Sequence, residues 1–161
     1  ALRHGIEHCN GKYIIMGDAD DSYNFLELSL FIERLQAGYD MVMGNRFAGG
    51  ITKGAMPWLH RYVGNPFLSS LGRFLFKNNI GDFHCGLRAF TKKCYNIINP
   101  QCNGMEFASE LVALASIHQM RICEIPVILY PDGRKRRPHL RSWRDGFRHM
   151  VLLYSLYLLR N

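Results

Sequence analysis

The chain has 161 residues, 48% of them hydrophobic and 20% charged, which supports one domain with a sizeable core and excludes a disordered chain. Its formal net charge of +7 favours acidic partners: phosphates, nucleic acid or an anionic membrane surface. Its five cysteines include no CxxC pair, which argues against a disulfide framework or a zinc site and for a reducing compartment.

No secretory signal pattern opens the chain. It begins mid-pattern on ALRHGIEHCNGKYIIM and ends on the apolar run MVLLYSLYLLRN, and both ends read as cuts in a longer protein. Residues 13–16 read as a short buried strand. Phe25, Leu28, Phe31, Ile32 and Leu35 then recur at helical spacing, and Gly38 stops that helix. Residues 39–43 form a second expected strand, ending at GNRF. Strand, helix and strand within about 30 residues suggest a βαβ-type unit and a parallel sheet.

A Gly-rich connection, AGGITKGAMP, follows at residues 48–57. Residues 61–77 are expected as a mixed apolar and basic helix interrupted around GNP. GDFHCGLRAFTKKCY reads as a loop, a strand over 86–90 and a turn. Residues 105–117 are a helix candidate with Phe107, Leu111, Leu114 and Ala115 on one face, and 121–130 read as another strand. The segment 134–148 carries seven Lys or Arg residues against one acid, Asp145. The last dozen residues are mostly apolar, and no repeat or low-complexity tract is present.

The aspartates of IIMGDADDSY carry the sharpest signal. In open α/β sheets ligands bind beyond the carboxyl ends of strands, and Asp18 and Asp20 follow such an end. Alternate residues of an extended segment point the same way, so the two carboxylates can converge. Converging carboxylates repel unless a cation lies between them. Mg²⁺ or Mn²⁺ takes oxygen ligands and usually shares them with substrate phosphates. The competing reading is an Asp-rich turn capping the helix that begins near Asn24. The two are compatible if Asp21 and Ser22 cap while Asp18 and Asp20 hold metal.

Five blocks in order, MGDADDSYNFLEL, DMVMGNRF, GDFHCGLRAF, EFASEL and RPHLRSWRDGFRHM, resemble the glycosyltransferase family 2 enzymes. They most resemble polyprenyl-phosphate sugar synthases of the dolichol-phosphate mannose synthase type. The resemblance spans nearly the whole chain. It implies an α/β fold of GT-A type, a Rossmann-like mixed sheet flanked by helices, with the N-terminal half incomplete. Residues 1–133 would then be the C-terminal portion of the catalytic domain. Residues 134–161 would be a basic loop and an amphipathic, interfacial helix leading toward a membrane region.

The resemblance places Asp18 and Asp20 on the metal and diphosphate. Ser22 falls where some synthases carry a glutamine metal ligand. Arg46 matches an arginine expected near donor or acceptor phosphates, where a guanidinium binds oxygens bidentately; the alternative is a surface ion pair. Asp82 matches an acidic residue that faces the acceptor. With a hydroxyl acceptor it would serve as general base; with an anionic lipid phosphate it would orient groups instead. Arg88 either binds an anion or stabilises its loop. Cys85 reads as a packing residue. His84, beside Asp82, has no metal-spaced histidine with it. Glu106 and Glu110 share a helical face, either as an acceptor-site pair or as structural residues, one paired with a cation and one solvated.

The basic tract has three readings: a phosphate-gripping loop, with Arg137, His139, Arg141 and Ser142 as contacts; an interfacial helix anchored by Trp143 and Phe147; or a nucleic-acid site. No RNA- or DNA-binding motif or stacking platform supports the third. The apolar tail is too short to span a bilayer, and reads as the start of an interfacial or membrane helix or as an ordinary core helix. Together these imply a metal-dependent inverting glycosyltransferase using Mg²⁺ or Mn²⁺ and a UDP- or GDP-hexose. The acceptor would be a polyprenyl phosphate at the cytoplasmic face of a membrane. A family 2 enzyme with a hydroxyl acceptor, and a basic membrane-binding module without activity, are the alternatives.

Overall fold

The run MVMG at the start of strand β2 (Met41–Asn45) is buried on both faces, as happens when helices cover a sheet from either side. A computed structural model describes residues 2–133 and 142–160. Its four-stranded sheet has the order β1-β3-β2-β4, with β1 Tyr13–Met16, β3 Arg88–Thr91 and β4 Ile122–Pro126. Strand β3 is antiparallel to both β1 and β2, while β4 runs parallel to β2. The expected βαβ pair does run in one direction, but β3 lies between its strands in the opposite sense. The sheet is therefore mixed, not purely parallel.

Strand periodicity sorts the side chains into two cores. Met41, Met43, Ile14 and Phe90 belong to one, with Tyr95 and Ile98 of helix α5 (Lys92–Ile98) and Leu111 and Val112 of α6 (Phe107–Ile117). Val42, Ala89 and Leu87 belong to the other, covered by Phe31 and Leu35 of α2 (Ser29–Gln36). In register, Phe90 stands opposite both Ile14 and Met41, so one ring ties three strands together. Complete burial of a side chain such as Phe31 contributes about 2–3 kcal/mol.

Helix α1 (Leu2–His8) is pinned where it ends: the Lys92 ammonium donates to the Ile6 carbonyl at 2.6 Å and the Cys9 carbonyl at 3.2 Å, a cation placed at a helix C-terminus. The helix expected over residues 25–35 starts as a 3₁₀ turn, Phe25–Glu27, before α2 begins. Its cap is Asn24, whose Oδ1 accepts from Leu26 N at 3.1 Å, not Asp21 or Ser22. Gly38 ends the element at φ +91°, a region costly for other residues. The expected interruption at GNP is a change of pitch: a π turn, His60–Gly64, runs into α4 (Asn65–Phe76). Pro66, near the start of α4, has no N–H to donate to the preceding turn.

Helix α7 (Ser142–Arg160) lies against α4 and α6, with Leu153 fully enclosed among Leu75, Phe76 and Ala113. Its other side exposes Phe147, Val151, Tyr154, Leu158 and Leu159. Among the described residues no helix is long and apolar enough to cross a membrane.

Candidate active site

Strands β1, β2 and β4 share one direction, so their carboxyl ends open at the same edge of the sheet, and β3 enters the sheet from that edge. Topology alone thus brings Asp18 after β1, Arg46 after β2, the 81–87 loop before β3, and residues 127–133 after β4 to one place. Asn45 turns the chain there: its Oδ1 accepts from Ala48 N at 2.9 Å and caps the short helix α3 (Arg46–Gly49).

Arg46 and Asp82 form the centre. Arg46 Nε donates to Asp82 Oδ2 and Arg46 Nη2 to Asp82 Oδ1, each at 2.7 Å, and the Arg46 backbone N–H adds a third bond at 3.1 Å. His84 N donates to Asp82 Oδ1 at 3.2 Å. Asp82 is fully buried and Arg46 is 8% exposed. Burial pushes the Asp82 carboxyl up, but the hydrogen bonds and charge of Arg46 overcome it and hold it below the ordinary value. Burial lowers Arg46, and the same pairing raises it above its usual value. The alternative of a surface ion pair for Arg46 is set aside, since the pair is buried, and the Asp82 carboxylate is bonded to Arg46. Both carboxylate oxygens are taken and the proton affinity is low, so Asp82 is a poor general base.

Around this pair the polar groups are closed in. Arg88 is completely buried; Nε donates to the Cys85 carbonyl at 3.1 Å, Nη2 donates to the same oxygen, and Nη1 reaches the Ala108 carbonyl at 2.9 Å. Of its two expected roles, loop support is the one observed. Tyr23 Oη accepts from Gly86 N at 3.1 Å. Glu124 Oε1 accepts from Gly81 N and Asp82 N, both at 2.9 Å. Cys85 is fully buried, and burial pushes its thiol up to about 11, as expected of a packing residue and not a nucleophile.

The aspartate turn is more open. Asp18 is exposed and Asp20 half-buried. The Asp18 carboxylate lies against Gly86, where any Cβ would collide with it. Asp20 Oδ1 accepts from Ser22 N at 3.2 Å and Ser22 Oγ at 2.5 Å, so Ser22 fixes Asp20 from behind. The turn requires Asp21 at φ +63°, a left-handed conformation that Asp tolerates better than most residues. Two backbone bonds close it against the segment after β4: Tyr130 N to Ser22 O at 3.0 Å and Gly133 N to Asp20 O at 2.8 Å. A cleft of about 330 Å³ beside the turn is lined by Asp21, Tyr23, Asn24, Phe25 and Tyr130.

The profile of "Glycosyl transferase family 2" matches residues 1–97. The chain belongs to glycosyl transferase family 2. It is similar to the low-salt glycan biosynthesis hexosyltransferase Agl6 of Haloferax volcanii, 37% identical over 151 residues, covering 93% of this chain and 36% of that protein. It is also similar to the dolichyl-phosphate hexose transferase of the same organism, 32% identical over 116 residues, covering 71% of this chain and 48% of the other. Among solved structures, glucosyl-3-phosphoglycerate synthase from Mycobacterium tuberculosis, in complex with Mn²⁺, UDP-glucose and phosphoglyceric acid, superposes with a TM-score of 0.72. That match has 15% identity and covers 97% of this chain and 53% of that one. The likeness shows the fold, which is the expected GT-A type. The chain spans half the length or less of these curated relatives.

The residues of this family 2 chain suit a hard divalent cation. Asp18 and Asp20 offer carboxylate oxygens only, and the missing Cβ of Gly86 leaves a cradle holding one of them. Among the described residues no group of three or more His, Cys, Asp or Glu converges on one point, so other ligands would come from water and phosphate. Glu106 is paired, accepting from Arg148 Nη2 at 2.5 Å, as the structural reading expected. Glu110 is not solvated: it is buried and accepts from Gln101 N at 2.9 Å and Cys102 N at 2.8 Å. Arg137, His139 and Arg141 lie outside the described residues, as does the Ser142 side chain. Tyr23, Glu124, Ser109 and His149 were not singled out in the sequence. For Glu124 a signal existed, a lone acid inside the apolar strand ICEIP.

Proposed function

We propose that this chain is the catalytic part of a metal-dependent, inverting hexosyltransferase. It moves a hexose from a UDP- or GDP-sugar to a polyprenyl phosphate at the cytoplasmic face of a membrane. The observation that carries the choice of acceptor is the buried Arg46–Asp82 pair. A hydroxyl acceptor must lose a proton as it attacks, and needs a base within reach. The one acid of the 81–87 loop is committed to Arg46 and held in its weakly basic form. A phosphate monoester is already anionic at neutral pH and attacks without a base. The similarity to a relative named dolichyl-phosphate hexose transferase supports such an acceptor.

The residues divide the work. Asp18 and Asp20 would hold Mg²⁺ or Mn²⁺ with the donor diphosphate; a cation bound there neutralises the charge that builds on the departing nucleoside diphosphate. Asp82 orients Arg46, so that its guanidinium presents phosphate-binding donors in a fixed direction. The ion pair has no net charge, so Arg46 contributes aligned hydrogen bonds more than attraction. Gly133, the residue before the basic tract in sequence, is bonded to Asp20. This supports Arg137, His139, Arg141 and Ser142 as further phosphate contacts. The apolar flank of α7, with Phe147 in it, supports a membrane surface nearby.

The test is transfer of radiolabelled hexose from UDP- or GDP-sugars, with Mn²⁺, to a polyprenyl phosphate or to a hydroxyl acceptor, using the full-length protein that contains this segment. Transfer to the lipid phosphate that persists in folded Asp82→Asn protein, with the loss falling on substrate binding rather than abolishing turnover, supports the reading. Transfer only to a hydroxyl acceptor, with turnover abolished by Asp82→Asn in folded protein, overturns it.

A further inference from the structure

Away from the diphosphate region, three polar side chains from three elements meet inside the protein. The Ser109 hydroxyl of α6 lies 3.1 Å from His84 Nε2 and 2.7 Å from His149 Nδ1. The two imidazoles stand edge to face, with ring centroids 4.8 Å apart. Ser109 is fully buried and His149 5% exposed. Among the described residues His84 Nδ1 is buried without a hydrogen-bond partner. The hydroxyl has one proton, so it donates to one ring nitrogen and accepts from the other. That pattern is complete when both rings are neutral. His84 belongs to the loop whose Asp82 holds Arg46, and its own N–H bonds Asp82. His149 belongs to α7, the helix that follows the basic tract.

We propose that His84, Ser109 and His149 form a pH-sensitive latch that joins helix α7 to the 81–87 loop, whose Asp82 holds Arg46, and lets α7 go when the imidazoles take up protons. Protonating both rings would place two cations at that 4.8 Å separation, out of contact with bulk water, and would take from the Ser109 proton the ring nitrogen that accepts it. The groups facing His84 are His149 from α7, Asp82 from its own loop, Arg46 from α3 and Arg88 from β3. Those facing His149 are Glu106 from the start of α6, and Asp145 and Arg148 from α7 itself. Asp82 is bonded to Arg46 and Glu106 to Arg148, and the third acid, Asp145, sits on α7 itself and stays with His149 whether the helix is docked or released.

The direction of the effect agrees. Burial first, then the charge of His149, push His84 down to about 3. Burial lowers His149 as well, against the pull of Glu106 and Asp145. Groups with depressed values in the docked state bind fewer protons there. Docking is therefore fully favoured above the ordinary histidine value near 6.5 and weakens as pH falls below it, for His84 down to about 3. His84 weakens docking about tenfold per pH unit in that window, and His149 acts in the same direction.

Hydrogen exchange of the whole chain, corrected for intrinsic rates, tests this at pH 7.5 and 5.5. The expected result is a loss of protection of about 10- to 100-fold in α7 at pH 5.5, while β2 and β3 keep theirs. The double variant His84→Gln with His149→Asn keeps a polar atom near each bonded nitrogen and cannot titrate; its α7 should show the same protection at both pH values. Unchanged α7 protection in the wild type overturns the latch, as does equal loss across the sheet, or the same pH response in the double variant. The wild-type comparison decides by itself if that variant does not fold. No substrate is involved, so failure of the glycosyl-transfer reading leaves this result standing.

Discussion

The two aspartate-bearing loops at the carboxyl edge of the sheet are built in opposite ways. At the 81–87 loop the charged groups are held by the protein: buried Asp82 by Arg46, buried Arg88 by carbonyls of its neighbours, and half-buried Glu124 by two backbone amides of the loop. In the turn at residues 18–22, Asp18 is exposed, Asp20 is held on one oxygen by Ser22, and a cleft opens alongside. A closed network in low dielectric is rigid and costly to disturb. A carboxylate pair near the surface costs less to fold and is within reach of a ligand. The first loop therefore sets the position of a cation side chain, and the second supplies the variable charge.

The comparison breaks most visibly at Asp82. Replacing it with Ala leaves a buried guanidinium unpaired and should cost about 3–5 kcal/mol of stability, read by denaturant unfolding. A loss below about 1 kcal/mol would mean that the pair is solvated. The pH dependence sharpens this. The folded Asp82 value lies below the ordinary 3.8, so its contribution is complete above that pH and fades as pH falls through the folded value. The stability gap between wild type and Asp82→Asn should be flat from pH 7 to about 4 and shrink below that. A gap that grows on acidification contradicts the pairing.

Gly86 is where the two loops touch. An added methyl meets the mobile end of Asp18, not backbone, so Gly86→Ala should fold nearly as well as wild type. It should still weaken Mn²⁺ binding by about 10–100-fold, measured by titration calorimetry. Unaltered affinity would separate Asp18 from the metal site. Ser22→Ala should have the smallest effect, about 1 kcal/mol in stability and a few-fold in Mn²⁺ affinity, since it removes the hydroxyl bond to Asp20 Oδ1 and keeps the backbone one.

Much of this architecture is written locally in the chain. MVMG reads as a doubly covered strand because every residue is apolar, and DADDSY marks a strand exit because acids follow a hydrophobic run at once. What local pattern does not hold is which strands pair. Nothing in GLRAF says that it lies between β1 and β2, since alternation fixes faces but not neighbours. The same limit applies to the site. Arg46 and Asp82 each stand out in their own motifs, yet their bond spans 36 positions, and Asp82 reads as a free acid until its partner is placed. Arg88 stays ambiguous for the same reason: the carbonyls it reaches, Cys85 and Ala108, carry no side-chain signature. Ser109 and His149 look like an ordinary helical serine and a histidine in a basic stretch until α6 and α7 are packed.

The most direct test of the central claim needs neither base nor sugar. Electron paramagnetic resonance of Mn²⁺ would follow its uptake with pyrophosphate by the wild-type chain and by Asp18→Ala and Asp20→Ala. Pyrophosphate uptake that requires Mn²⁺ and weakens by about tenfold or more in each variant is the predicted result. Equal uptake by all three proteins, or uptake indifferent to Mn²⁺, would contradict it.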